Sequence, residues 1–289
     1  MLEISEEEIY LKELTQENDW LFLSQYYNLS EKIIEEFQDK VNWHYISIYQ
    51  KLSEQFIEKF ANKVDWDCIS RCQRISEHFM DKHFNELNSV ILLNYKRLSE
   101  EFIEKHIEEL DWDEIVINQR LSEPFIEKYL WHFDKNLICE YQLLSENFIE
   151  KHKKDFNWCY ISAYQHLSEK FIEKHKKEVE WDYISSKQKL SEKFIIKYKD
   201  KVNWNIISKY QKLSEKFMNR YKNKINWKFV SKYQIMSEKF ILENKNRVRW
   251  DLIAKSQELS EKFIKDNIAY LPIEYLKLNV NIPETFWKE

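Results

Sequence analysis

The sequence predicts an all-α fold: an α-solenoid of about twelve two-helix repeats stacked into a curved or superhelical rod. Three observations carry this. The 289 residues include no glycine and only three prolines, Pro124, Pro272 and Pro283. Phosphate-cradling loops, Rossmann turns and primed hairpin turns depend on glycine, so those enzyme classes are excluded. A Ser-Glu pair returns every 23 residues, at Ser30, Ser53, Ser76, Ser99, Ser122, Ser145, Ser168, Ser191, Ser214, Ser237 and Ser260. Within each interval the apolar residues fall at helical spacing.

The elements follow in order. Ser5-Glu6 opens a divergent first unit, 5–29, with two extra residues. Regular units fill 30–282. Pro283-Glu284-Thr285-Phe286 begins one more, and the stub 283–289, with Trp287, is expected to cover the open face of the last full unit. The whole of 1–289 then forms a single repeat domain. Counting from the Ser, the first helix places apolar residues at +3, +4, +7 and +11, as in Phe56, Ile57, Phe60 and Val64. The Ser is its N-cap, the following Glu lies at the positive end of the helix dipole, and a preceding Leu such as Leu52 staples onto +4. The second helix is capped by Asn or Asp at +12, as at Asn42, Asp65 and Asn203. Trp follows at +13 (Trp43, Trp66, Trp112, Trp158, Trp181, Trp204, Trp227, Trp250), and Ile or a similar residue lies at +16. Neither helix is long enough to hold alone, so each must bury its face on its neighbours. With layers about 9 Å apart, the rod would be about 110 Å long.

The unit Leu-Ser-Glu-Lys-Phe-Ile-Glu-Lys, then Val-Asn-Trp, then Ile-Ser-Lys-Tyr-Gln, resembles the tandem 23-residue helical repeats of large DNA viruses of the mimivirus kind and of AT-rich phages. The resemblance covers nearly the whole chain. It implies a viral or mobile-element origin and carries no activity or functional residues with it.

The recurring polar and aromatic residues read as structure. Trp at +13 is expected in the core. Ser89 and Lys135 occupy that position in two units, which are expected to be soft points, with Trp131 filling part of the second gap. Gln at +20, from Gln50 to Gln257, is expected to satisfy helix-end carbonyls or the next N-cap region; the competing reading is a row that reads a polymer unit by unit. Position +7 accepts His83, His106, His152 or His175 where other units have Phe or Tyr, which marks a packing position with a polar edge. Ser at +17 is small where helices approach. No metal-binding or nucleophile motif occurs, and no cofactor is expected. The four cysteines, Cys68, Cys72, Cys139 and Cys159, read as small packing residues in a reducing compartment, which points to an intracellular, cytoplasmic protein. Neither an N-terminal apolar leader nor a membrane-length apolar run is present.

Charge alone breaks the repetition. Residues 1–150 carry 32 acidic and 15 basic side chains, and residues 151–250 carry 11 acidic and 25 basic. The rod is expected to be an electrical dipole, monomeric or weakly associating head to tail. In the basic half, Lys170, Lys174, Lys193, Lys197, Lys216 and Arg220 fall at +2 and +6 of the first helices, and Lys209, Lys232 and Lys255 at +18 of the second. These nine residues are the candidate partner-binding ridge. The expected function is a non-enzymatic scaffold that binds a macromolecule along its surface, a protein first. Phosphate-backbone binding by 151–250 is the alternative, and a helical-repeat nucleic-acid enzyme a distant third.

Overall fold

A computed structural model describes residues 20–282. The Ser5 start and the expected capping stub 283–289 lie outside the described residues. Twenty-three helices and no strand occur among the described residues, as the two-helix repeat requires. The chain divides into two compact units after Gln142. In each, six-residue first helices such as Glu54–Lys59 and Glu192–Lys197 alternate with seven-residue second helices such as Trp66–Cys72 and Trp204–Tyr210. Within each unit, second helices of successive repeats lie side by side. None of the described helices is long and apolar enough to cross a membrane.

The caps are where the spacing puts them. Ser53 Oγ accepts from the Phe56 N–H at 3.2 Å, and Ser191 Oγ from Phe194 at 3.1 Å. Asn42 and Asp65 cap the second helices through Tyr45 and Cys68. Glu180, Arg249 and Pro272 stand at the same position without a side-chain cap bond. Among the described residues no backbone angle φ is positive. The second helices from Trp43–Tyr49 to Trp250–Ser256 instead end in an extended residue, as at Gln50 (φ −89°, ψ 148°) or Gln211 (φ −89°, ψ 145°), while Ile273–Leu276 ends in the helical Lys277. That link needs no left-handed residue, which is how the chain manages without glycine.

The core consists of Phe at +3, Ile or Met at +4 and an aliphatic residue at +16, with Ile57, Ile69, Ile195 and Ile207 fully buried. Three polar positions tie neighbouring repeats together where they are kept; in the repeats from Ser30 to Ser237, +17 is Leu93, Val116, Cys139 or Ala254 in four, and +20 is Lys96 in one. Gln50 Oε1 accepts from the Leu29 N–H at 2.8 Å, while its Nε2 donates to the carbonyls of Ser24 and Tyr27 at 2.9 and 2.7 Å. Gln211 repeats this on Leu190, Ser185 and Gln188. The glutamines are thus buried and satisfied at both ends of the amide, and the polymer-reading alternative falls away. Ser47, buried at +17, donates from Oγ to the Trp43 carbonyl and accepts from the Asp65 N–H of the next repeat. Glu31, besides facing its own helix dipole, accepts from the Ser53 N–H at 2.5 Å.

Lys96 occupies a Gln position. Its ammonium donates to the carbonyls of Arg71 and Gln73, where an amide would take those of Ser70 and Gln73, and it offers no acceptor to the Ile75 N–H. Partial burial lowers its pKa from the usual lysine value. Lys96→Gln is therefore expected to stabilise the protein by about 1 kcal/mol, the scale of one recovered hydrogen bond. The folded state disfavours the charged form, so the wild-type deficit is complete at neutral pH and fades as pH rises through the lowered folded pKa. Urea midpoints of both proteins at about pH 7 and about pH 10 should lie closer together at the higher pH, because the charge-linked part of the deficit fades while the recovered hydrogen bond remains. A constant gap would locate the benefit in the amide alone.

The tryptophans correct one expectation. All eight at +13 are half-buried, neither core nor free surface. Each indole sits at a seam: Trp204 stacks on Phe217 at 6.1 Å and on Tyr221 at 5.3 Å, and its Nε1 donates to the Lys199 carbonyl at 2.8 Å. Lys224 lies over its outer face, 5.6 Å from the centroid. Trp131 does not fill the gap left at Lys135; it is 88% exposed, with the Lys135 ammonium over its ring. Leu130 and Phe133 are the buried residues there. In the Ser76 repeat, Phe84 takes over the indole's task and stacks on His106 at 3.8 Å, with planes 12° apart.

Candidate interaction surface

The nine candidate cations fall into three groups. Lys174 pairs with Glu150 at 3.0 Å, and Lys197 pairs with Glu173. Glu173 is held below its usual pKa by the Lys197 hydrogen bond, and Lys197 is raised by the same contact. Glu150 is lowered to about 2 by Lys153, Lys174 and His175. The same +6 to +5 rung occurs at Lys82–Glu58, Lys105–Asp81 and Lys128–Glu104. Lys174 and Lys197 are therefore rungs between repeats, found in both halves of the chain, and the expected ridge loses them. Arg220 has Ile196 where a rung needs a carboxylate, and its guanidinium lies over Tyr221.

Lys170, Lys193 and Lys216 are exposed and form no ion pair with the described residues. Position +2 points away from the Phe-Ile face, as the helical spacing implies.

On the second helices the cations are interleaved with tyrosine. The Lys209 ammonium lies 4.6 Å from the Tyr210 centroid and 5.5 Å from that of Tyr233, and Lys232 lies over Tyr233 at 5.0 Å. Hydrogen bonding to Tyr210 raises the pKa of Lys209. Lys255 is exposed near the end of Trp250–Ser256. Tyr210 is 56% exposed and Tyr233 42%, large aromatic areas for surface positions. A groove of about 680 Å³ runs beside them, lined by Asn205, Ile206, Lys209, Tyr210, Lys228 and Phe229 among others. The tyrosine stripe at +19 was visible in the sequence as a spacing, since Tyr49, Tyr95, Tyr164, Tyr210 and Tyr233 share it; the spacing did not say which way the rings face.

The histidines behave as packing residues with a polar edge. His175 lies 4.6 Å from Trp158 and reaches Glu150 through Nε2 at 2.6 Å; His83 stacks on Trp66 at 5.2 Å. Cys139 is buried, and burial pushes its thiol up to about 12. Cys68 departs from the packing role: it lies against His44 and Asp65, and burial together with Asp65 pushes its thiol up to about 12. Asp65 stays below its usual pKa despite partial burial because His44 and the Cys68 N–H hydrogen-bond it.

No protein-family model, curated protein or solved structure matches the chain. The helical-repeat fold, in which the described second helices of each compact unit pack on those of the adjacent repeats, is the architecture typical of interaction scaffolds.

Proposed function

We propose that the protein is a non-enzymatic scaffold whose second-helix face in the basic half binds an acidic protein segment. The observation that supports this is the alternation of exposed tyrosines with lysines beside the groove at Lys209 and Tyr210. Tyrosine offers rigid contact area with a polar tip, and the flanking ammonium groups favour carboxylates. The recurring Gln, Ser and Glu of the repeat are spent on internal hydrogen bonds, so recognition falls to the residues left at the surface.

Fluorescence anisotropy with an acidic peptide and with a single-stranded oligonucleotide of equal charge tests the reading. The wild type should bind the peptide, and Lys209→Glu with Lys232→Glu should weaken it by about tenfold or more, mainly through slower association. The triple reversal Lys170→Glu, Lys193→Glu, Lys216→Glu should leave the urea midpoint within about 0.5 kcal/mol of wild type, because all three are exposed and unpaired. Its effect on the peptide compares the first-helix stripe with the second. Tighter binding of the oligonucleotide, with affinity falling steeply and linearly in log salt, would transfer the function to nucleic acid. Equal peptide affinity in all three proteins would sink the charged-face reading.

A further inference from the structure

Stacking of second helices sets the +14 side chain of one repeat against the +12 and +15 side chains of the next. The contact recurs: Asp182 accepts from Asn203 at 3.0 Å, and Asn205 from Asn226 at 2.7 Å. In those repeats it is an ordinary polar pair. Between the Ser30 and Ser53 repeats the three positions are His44, Asp65 and Cys68, each able to ligate a transition metal. His44 Nδ1 lies 2.7 Å from Asp65 Oδ2 and 3.5 Å from Cys68 Sγ. All three ligand atoms lie within 4.8 Å of one another, and this is the one such group among the described residues.

Two features fix the set in place. Asp65 is the N-cap of Trp66–Cys72, and its Oδ1 accepts from the Cys68 N–H at 3.1 Å, which leaves Oδ2 turned to His44. Cys68 sits on that same first turn, so carboxylate and sulfur approach from one rigid element while the imidazole comes from the adjacent one. A tetrahedral zinc with ligand bonds of about 2.0–2.3 Å holds its donor atoms about 3.2–3.8 Å apart, within small side-chain rotations of this spacing.

We propose that His44, Asp65 and Cys68 form a three-ligand site for zinc, with the fourth position open to a water molecule. Sulfur and imidazole nitrogen favour zinc over magnesium or calcium, which take oxygen ligands. The metal replaces the thiol proton, which passes to solvent; the imidazole binds neutral and the carboxylate is already ionised. His44 is more than half exposed, with 54% of its side chain accessible, so the ion has an open path. The site clips two neighbouring repeats together at their second helices. The sequence hid it because His44 and Cys68 are 24 positions apart, and only the 23-residue register overlays them.

Cobalt(II) titration of the full chain, followed by absorbance, is the test. The wild type should show a sulfur-to-cobalt charge-transfer band saturating at one ion per chain, displaced by zinc. Cys72→Ser should keep the band and Cys68→Ser should abolish it. His44→Ala and Asp65→Asn should each weaken zinc binding by about tenfold or more. Asn is the normal cap at this position, as at Asn42 and Asn203, so Asp65→Asn keeps the helix start and separates lost ligation from misfolding. No band in the wild type, a band that survives Cys68→Ser, or unchanged affinity in both His44→Ala and Asp65→Asn would each overturn the site.

Discussion

Gln211→Ala is expected to cost about 3–5 kcal/mol, the largest loss from any single polar side chain in the repeat. The amide makes three hydrogen bonds inside protein: Oε1 accepts from the Leu190 N–H at 3.0 Å, and Nε2 donates to the carbonyls of Ser185 and Gln188 at 2.9 and 2.7 Å. Alanine leaves all three backbone groups without a partner in a place where Gln211 is only 6% exposed. Each orphan costs about 1–3 kcal/mol, and the cavity adds to it. The damage should be local, since neighbours in a repeat array carry the coupling. Hydrogen exchange should show lost protection across residues 185–213 with little change in the first compact unit. A urea midpoint moved by less than about 1 kcal/mol would mean that water enters and replaces the amide.

Trp204→Ala should cost about 2–3 kcal/mol, below the value for a fully buried indole because one face is open. The substitution removes the stack on Phe217 and Tyr221, the Nε1 bond to the Lys199 carbonyl and the perch of Lys224. Phe84→Ala is the matching experiment in a repeat without the indole. Phe84 is 9% exposed and stacks on His106, so its loss should equal or exceed that of Trp204. Urea denaturation of both variants settles the order. A Phe84→Ala protein as stable as wild type would restore the Ser76 repeat as a weak point.

The helices, their caps and their buried faces were legible because those signals are local: a Ser three residues before a Phe announces a cap by itself. The packing of Ile57 and Ile69 follows from spacing. What sequence reading missed lies between repeats, where a residue meets another about one period away. Ser47 was read as small, and its hydroxyl proves to be a bridge to Asp65. Lys197 was read as a free cation, and its carboxylate partner Glu173 is 24 positions earlier. Trp131 was read as filler, yet at +9 it points outward, since neither the Phe-Ile face nor the seam reaches that angle. Periodicity supplies the register that would have paired these positions. It does not show which side of a helix faces its neighbour, and that orientation decided each case.

The glutamine contacts all run one way along the chain. Gln50 closes the loop at 24–29, Gln73 the loop that ends at Leu52, and Gln211 the one that ends at Leu190; in each case the amide comes from the later repeat. A growing polypeptide therefore cannot finish a repeat when that repeat leaves the ribosome. The loop's carbonyls and N–H wait for a side chain translated 21 to 26 residues afterwards. Folding during synthesis should trail the exit tunnel by about one extra repeat, and ribosome-stalled chains that hold Gln211 just inside and just outside the tunnel mouth should differ sharply in protease resistance around residues 185–190.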